Sequence, residues 1–162
     1  MVTEKLKSLT RGLTTNEIDS MLKGNTVTRN HYIGTFPSCF IPNSDKNIYC
    51  FITNTDDHDG SGQHWNSWFV RGERITFFDS FGRKYDNENF PKHYLDIVEQ
   101  FDYVEYTTKR VQDWSAKTCG FYCLHFSFLL SLGLDIRSFL KDYSLDYMKN
   151  DKIVLDIVDS LF

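Results

Sequence analysis

Apolar and polar residues change their spacing several times along this chain, and each change marks an element. Ile18, Met21 and Leu22 fall at helical spacing, Thr14-Thr15-Asn16-Glu17 ahead of them has the form of a capping box, and Gly24 closes the segment, which predicts a helix over 15–23. From 30 to 43, Gly34, Pro37 and Pro42 interrupt a set of aromatics, and the stretch reads as an ordered loop. Ile48, Tyr49, Cys50, Phe51, Ile52 and Thr53 make an apolar, β-rich run, which predicts a buried strand over 47–54. Residues 55–63, with Asp56, Asp57, Asp59, Gly60 and Gly62, read as a polar loop. Two further strands are predicted over 64–70 and 74–79, joined by a turn at Arg71-Gly72-Glu73, and a fourth over 102–108.

Between those strands Pro91 opens an amphipathic stretch through Tyr94, Leu95, Ile97, Val98 and Phe101, a predicted helix. Cys119 to Leu132 is almost wholly apolar and reads as a helix buried on most sides, followed by helical stretches over 136–141 and 148–161. No repeat or low-complexity tract interrupts this order. The 162 residues suit one domain, 1–162, with enough core to need neither staples nor metal.

Composition narrows the function classes. Hydrophobic residues are 41% of the chain and 14 Phe and 9 Tyr dominate the aromatics, which excludes a disordered protein. A formal charge of −4 argues against nucleic acid as a partner, local pairs such as Lys109-Arg110 notwithstanding. Lys5, Lys7 and Arg11 break up the opening residues and no apolar run reaches membrane-span length, so an intracellular protein without a membrane partner is expected. Under that expectation the four cysteines, Cys39, Cys50, Cys119 and Cys123, are thiols, and one of them is open to chemistry.

Thiol hydrolysis needs a nucleophile, a base that forms the thiolate, an acid that orients the base, and donors for the developing oxyanion. Cys119 follows a polar loop and opens the apolar helix, where the unpaired amides of a helix N-terminus favour a thiolate, and Gly120 after it leaves those amides approachable. His64 begins one predicted strand and Asp79 ends the next, so a hairpin would bring them to the same end of the sheet. Gln112, seven residues before Cys119, carries an amide able to donate beside the Cys119 N–H. Each residue alone has an ordinary structural reading; the constellation and its order carry the assignment. Cys119, Cys123 and His125 lack a second ligand pair at zinc spacing, which leaves Cys123 and His125 as core residues. Asp56, Asp57 and Asp59 lack the glycine register and the terminal Glu of a calcium loop, so no metal and no cofactor is expected.

The segments Gly62-Gln63-His64-Trp65, Phe77-Phe78-Asp79-Ser80-Phe81-Gly82 and Val111-Gln112-Asp113-Trp114-Ser115-Ala116-Lys117-Thr118-Cys119-Gly120-Phe121-Tyr122-Cys123 resemble those of adenain, the adenovirus-type cysteine protease family, over roughly residues 30–130; Tyr32-Ile33-Gly34-Thr35-Phe36 resembles the family's early Gly-Thr loop. The resemblance implies an α+β, papain-related core with a central mixed sheet and a buried Cys-bearing helix. It implies His64 as base, Asp79 as its orienter, Cys119 as nucleophile, Gln112 as oxyanion donor, and Trp65 as a shield with an amide to offer. It further implies an endopeptidase that matures viral structural precursors, in the host nucleus or cytoplasm or packaged in the virion, with small residues such as glycine near the scissile bond. Leu22-Lys23-Gly24-Asn25 is similar to such a site, but Thr26 follows where glycine would be needed, so self-cleavage there is not expected. Adenain is stimulated by DNA and by a viral peptide joined through a cysteine. Here 94–111 contains no cysteine and the charge is acidic, which argues against both forms of activation while leaving an activating peptide open as a partner. SUMO-type deconjugating proteases and bacterial acetyltransferases share the same site order and are the neighbouring readings, and a relative that only binds is the non-enzymatic one.

Overall fold

Five short segments of β-rich sequence pair into one mixed sheet. A computed structural model describes residues 11–55 and 64–162. Its strands are β1 (Tyr32–Phe36), β2 (Ile48–Asn54), β3 (Trp65–Arg71), β4 (Arg74–Phe78) and β5 (Tyr103–Tyr106), and they lie side by side in sequence order. The central β2–β3–β4 meander is antiparallel, whereas the outer strands β1 and β5 run parallel to their neighbours. Gly72 at φ 56° turns the β3–β4 hairpin, and Arg71 faces Arg74 across it. The acidic loop weighed as a calcium site lies outside the described residues, as does Gly62-Gln63 of the His-Trp segment.

Strand alternation sends side chains to two cores. On one face Trp68, Val70, Ile75 and Phe77 pack with Phe90 and with α2 (His93–Val98), the helix that crosses from β4 to β5. On the other, Cys50, Ile52, Phe69 and Phe78 meet α3 (Cys119–Ser131), which lies along β3. Three helices flank α3: α1 (Thr15–Gly24), α4 (Ile136–Leu140) and α5 (Tyr147–Leu161). Ten of the 13 residues of α3 are buried, which is why its sequence has no polar face. Phe78 stacks on Phe126 of α3 at 5.3 Å and meets the edge of Phe139 at 4.8 Å. Such ring pairs contribute about 0.5–1.5 kcal/mol each beyond their buried area. They fix the end of β4, one residue before Asp79, against the helix that starts at Cys119.

The predicted helices and the four predicted strands form within a few residues of their expected bounds, and the Thr14 capping box is made on both sides. One correction concerns 30–43. The loop reading missed β1, because Gly34 interrupts the apolar pattern and the segment becomes a strand only through non-local parallel pairing with β2, including a register shift between Tyr32 and Gly34. An α+β architecture with a five-stranded mixed sheet and a buried helix headed by Cys119 is thus what the chain adopts.

Candidate active site

The β3–β4 register fixes the geometry at one end of the sheet. Ser67 opposite Phe78 is the last pair of the ladder, so Asn66 and Asp79 follow at the same end of the hairpin and His64 lies two residues before Asn66. Asp79 is fully buried, and its carboxylate accepts from three side chains. His64 Nε2 lies 2.5 Å from Oδ1, Asn66 Nδ2 donates to the same oxygen at 3.0 Å, and Arg83 donates to Oδ2 from Nε at 2.8 Å and from its backbone N at 3.0 Å. Burial alone pushes this carboxyl up, but the hydrogen bond and charge of His64 and those of Arg83 outweigh it and hold the group below its ordinary value.

His64 is itself buried between Asp79 and Cys119. Burial pulls the imidazole down; the neighbouring Cys119 sulfur and the hydrogen bonds to Asp79 and Cys119 more than reverse this, raising it to about 9. The ring is therefore charged at neutral pH. With Nε2 engaged by Asp79, Nδ1 is the nitrogen left for the sulfur. Phe81 covers one face of the imidazole at 4.9 Å, and Trp114, 60% exposed, stacks on Phe81 at 4.5 Å, so the ring is shielded from water on that side.

Cys119 is buried and is the first residue of α3, where its amide has no intrahelical partner. The other two buried thiols stand in a different setting: burial pushes Cys50 up to about 12 and Cys123 well above its ordinary value. His125 sits in the core with Nδ1 2.6 Å from the Tyr143 hydroxyl, and burial holds it at about 4, a neutral packing residue.

Gln112 is buried within the loop ahead of α3. Ser80, the residue after Asp79, holds it three ways: its carbonyl accepts from Val111 N at 2.9 Å and Gln112 N at 3.1 Å, and its hydroxyl donates to Gln112 Oε1 at 2.5 Å. The side-chain nitrogen donates one of its hydrogens to Ala116 O at 2.8 Å, and an amide nitrogen carries two. Gly82 allows this approach. At φ 73° it bends the chain under Arg110, and a Cβ there would fall 2.6 Å from Thr108 O and 2.7 Å from Arg110 N.

Trp65 and Gly120 meet each other. The Trp65 indole N–H donates to Leu13 O at 3.1 Å, and a Cβ on Gly120 would crowd Leu13 at 3.2 Å and the Trp65 ring at 3.3 Å. In this structure the pair seats the 11–14 segment against the start of α3.

The structure brings His64, Asp79 and Cys119 together, with His64 immediately ahead of β3, Asp79 immediately after β4 and Cys119 heading α3, and it places Gln112 in the loop before that helix. The sequence reading gave no role to Asn66, Ser80, Phe81 and Arg83, which support these residues, or to Asn150 and Asp151, which bond to the Gln112 loop. Ser80-Phe81-Gly82 stood in the family-like segment without a function, and Arg83 follows it directly. Asn150 and Asp151 carried a signal that went unread, since they occupy the buried stripe of α5 with Val154, Leu155 and Val158. Polar residues at such positions have fixed partners. Among the described residues no group of three or more His, Cys, Asp or Glu side chains comes together to hold a metal.

No family model and no curated protein matches the chain. Among solved structures it is similar to the ASFV pS273R protease, with a TM-score of 0.50 and 22% identity, over 72% of this chain and 44% of that one. The chain therefore spans less than half the length of that protease. What the likeness shows is the fold, that of a cysteine protease.

Proposed function

We propose that the chain is a cysteine endopeptidase of the adenain type, acting on protein substrates with small residues near the scissile bond. The observation that carries the reading is the His64 ring held between a buried carboxylate and a cysteine at a helix head. The Cys119 thiolate attacks the scissile carbonyl carbon, and the new oxyanion takes hydrogen bonds from the Cys119 amide and the second N–H of Gln112. His64 then gives its Nδ1 proton to the leaving nitrogen as the C–N bond breaks. Water, deprotonated by the now neutral His64, cleaves the thioester and releases the acid and the thiolate. Asp79 keeps the ring oriented and charged, Arg83 and Asn66 keep Asp79 in place, and Phe81 excludes water from the imidazole face. The sequence resemblance supports processing of viral or virus-like precursors as the setting.

The test is digestion of a glycine-rich peptide library by the wild-type chain beside Cys119→Ala, read by mass spectrometry. Cleavage that disappears in Cys119→Ala is the expected result. Cleavage that survives it, or a wild-type thiol that neither cleaves nor reacts faster with iodoacetamide than Cys50 and Cys123, overturns the reading.

A further inference from the structure

An oxyanion donor works only if it is aimed before the charge develops. Gln112 sits in a loop, and loops do not ordinarily hold an amide to a few tenths of an ångström. Here both peptide units that flank it are fixed by partners outside the loop's own backbone ladder. On the near side, Val111 O accepts from Asn150 Nδ2 at 2.9 Å, while Gln112 N donates to Ser80 O. On the far side, Gln112 O accepts from Arg110 Nε at 2.8 Å, and Asp113 N donates to Asp151 Oδ2 at 3.3 Å. Asp151 Oδ1 also accepts from Thr118 Oγ1 at 2.7 Å and from the Tyr122 hydroxyl at 2.8 Å, so the same buried carboxylate holds the residue before Cys119 and one a turn into its helix. Arg110 is itself fixed, its guanidinium lying 4.3 Å over Trp114 and 4.0 Å over Tyr147.

From this convergence we infer that α5 is part of the machinery: Asp151, with Asn150 and Arg110, forms a set of positioning residues that lock the Gln112 peptide units and set its side-chain amide relative to Cys119. The inference rests on the endopeptidase reading above. A buried carboxylate at this place is otherwise costly, since burial raises its pKa and its charge lies near a helix head that should favour a thiolate. Its three donors, two of them on residues adjacent to Gln112 and Cys119, are what retain it.

Asp151→Asn keeps the shape and removes the charge: with its one oxygen on Asp113 N its NH₂ faces the Thr118 and Tyr122 hydroxyls, which must turn from donating to accepting, and with that oxygen on the hydroxyls Asp113 N loses its acceptor. The expected result is a ten- to hundred-fold fall in kcat with KM within threefold, because a small misplacement of a donor costs about that much. Alkylation of Cys119 by iodoacetamide, which needs the thiolate but no oxyanion donor, should stay within threefold of wild type. In a Gln112→Ala background the Asp151→Asn effect should largely vanish, since Asp151 acts through Gln112. Arg110→Met, on a half-buried side chain, removes the opposite hold with little risk to folding and should give the same signature. Unchanged kcat in a folded Asp151→Asn or Arg110→Met protein overturns the inference. So does a fall in kcat that tracks loss of alkylation, or one fully additive with Gln112→Ala. Absence of wild-type cleavage, or cleavage that survives Cys119→Ala, strikes the endopeptidase reading instead.

Discussion

Replacing Asp79 with Asn tests the charge arrangement at its centre. The wild-type carboxylate is fully buried and faces two cations, His64 at 2.5 Å and the Arg83 Nε at 2.8 Å, with Asn66 as a neutral donor. The amide has the same shape but no charge, and its NH₂ group must point at one of these donors. Removing one member of a buried ion pair costs about 3–5 kcal/mol, because the remaining charge has lost its counter-ion. For a chain of this size that corresponds to a fall in Tm of roughly 6–20 °C at pH 7. The sign with pH follows from the depressed Asp79 carboxyl. Its stabilisation is present above the unfolded carboxylate value of about 3.9 and is lost as pH falls through the lower folded value, so the gap between wild type and variant should close in strong acid. His64 should respond in parallel. Its midpoint, followed by NMR of the imidazole C–H, starts at about 9 in the wild type and must move down once the Asp79 charge and hydrogen bond are gone. Peptide cleavage should fall by about 10²–10⁴-fold, the range that a misdirected general acid and base commands. A His64 midpoint that stays near 9 in the variant, or an unchanged Tm at pH 7, would refute the reasoning.

Other perturbations address separate parts of the structure. Gly82→Ala must adopt φ 73° and push a methyl group to 2.6 Å from a backbone oxygen, so it should lower the free energy of unfolding by about 3 kcal/mol or more; an unshifted urea midpoint would show that the turn is not held as described. Brief iodoacetamide treatment at pH 7.5 followed by peptide mapping should modify Cys119 well ahead of Cys50 and Cys123, whose thiols burial raises, and equal labelling of the three would contradict the ion-pair geometry. His125, held neutral at about 4, stabilises the fold above the unfolded histidine value of about 6.5 and loses that contribution as pH falls toward 4. Unfolding free energy should therefore drop by up to about 3 kcal/mol over that window, and a His125 that titrates near its ordinary value would show the ring to be hydrated.

Sequence pattern and tertiary structure contributed different things. The apolar run after Cys119 predicted a helix buried on most sides and so put a thiol at a helix head, and the Arg71-Gly72-Glu73 turn brought His64 and Asp79 toward one end of a sheet. Those inferences succeeded because hydrophobic periodicity and turn chemistry are local properties, set within a few residues. The strand at Tyr32–Phe36 was not legible for the opposite reason: its partners are 17 or 18 residues away in β2, and Gly34 in its middle erases the alternation. The supports of the site were hidden in the same way. Nothing in the local sequence ties Ser80 to Gln112, Asn66 to Asp79, or Asp151 to Thr118 and Asp113, since each bond joins segments separated by 13 to 38 residues. By itself the sequence determined which residues are candidates for the chemistry and beside which elements they stand, because residue type and local periodicity decide both. Only the packed structure decided how that chemistry is held, because hydrogen bonds that fix a loop or orient a carboxylate exist once distant elements have buried their faces against one another.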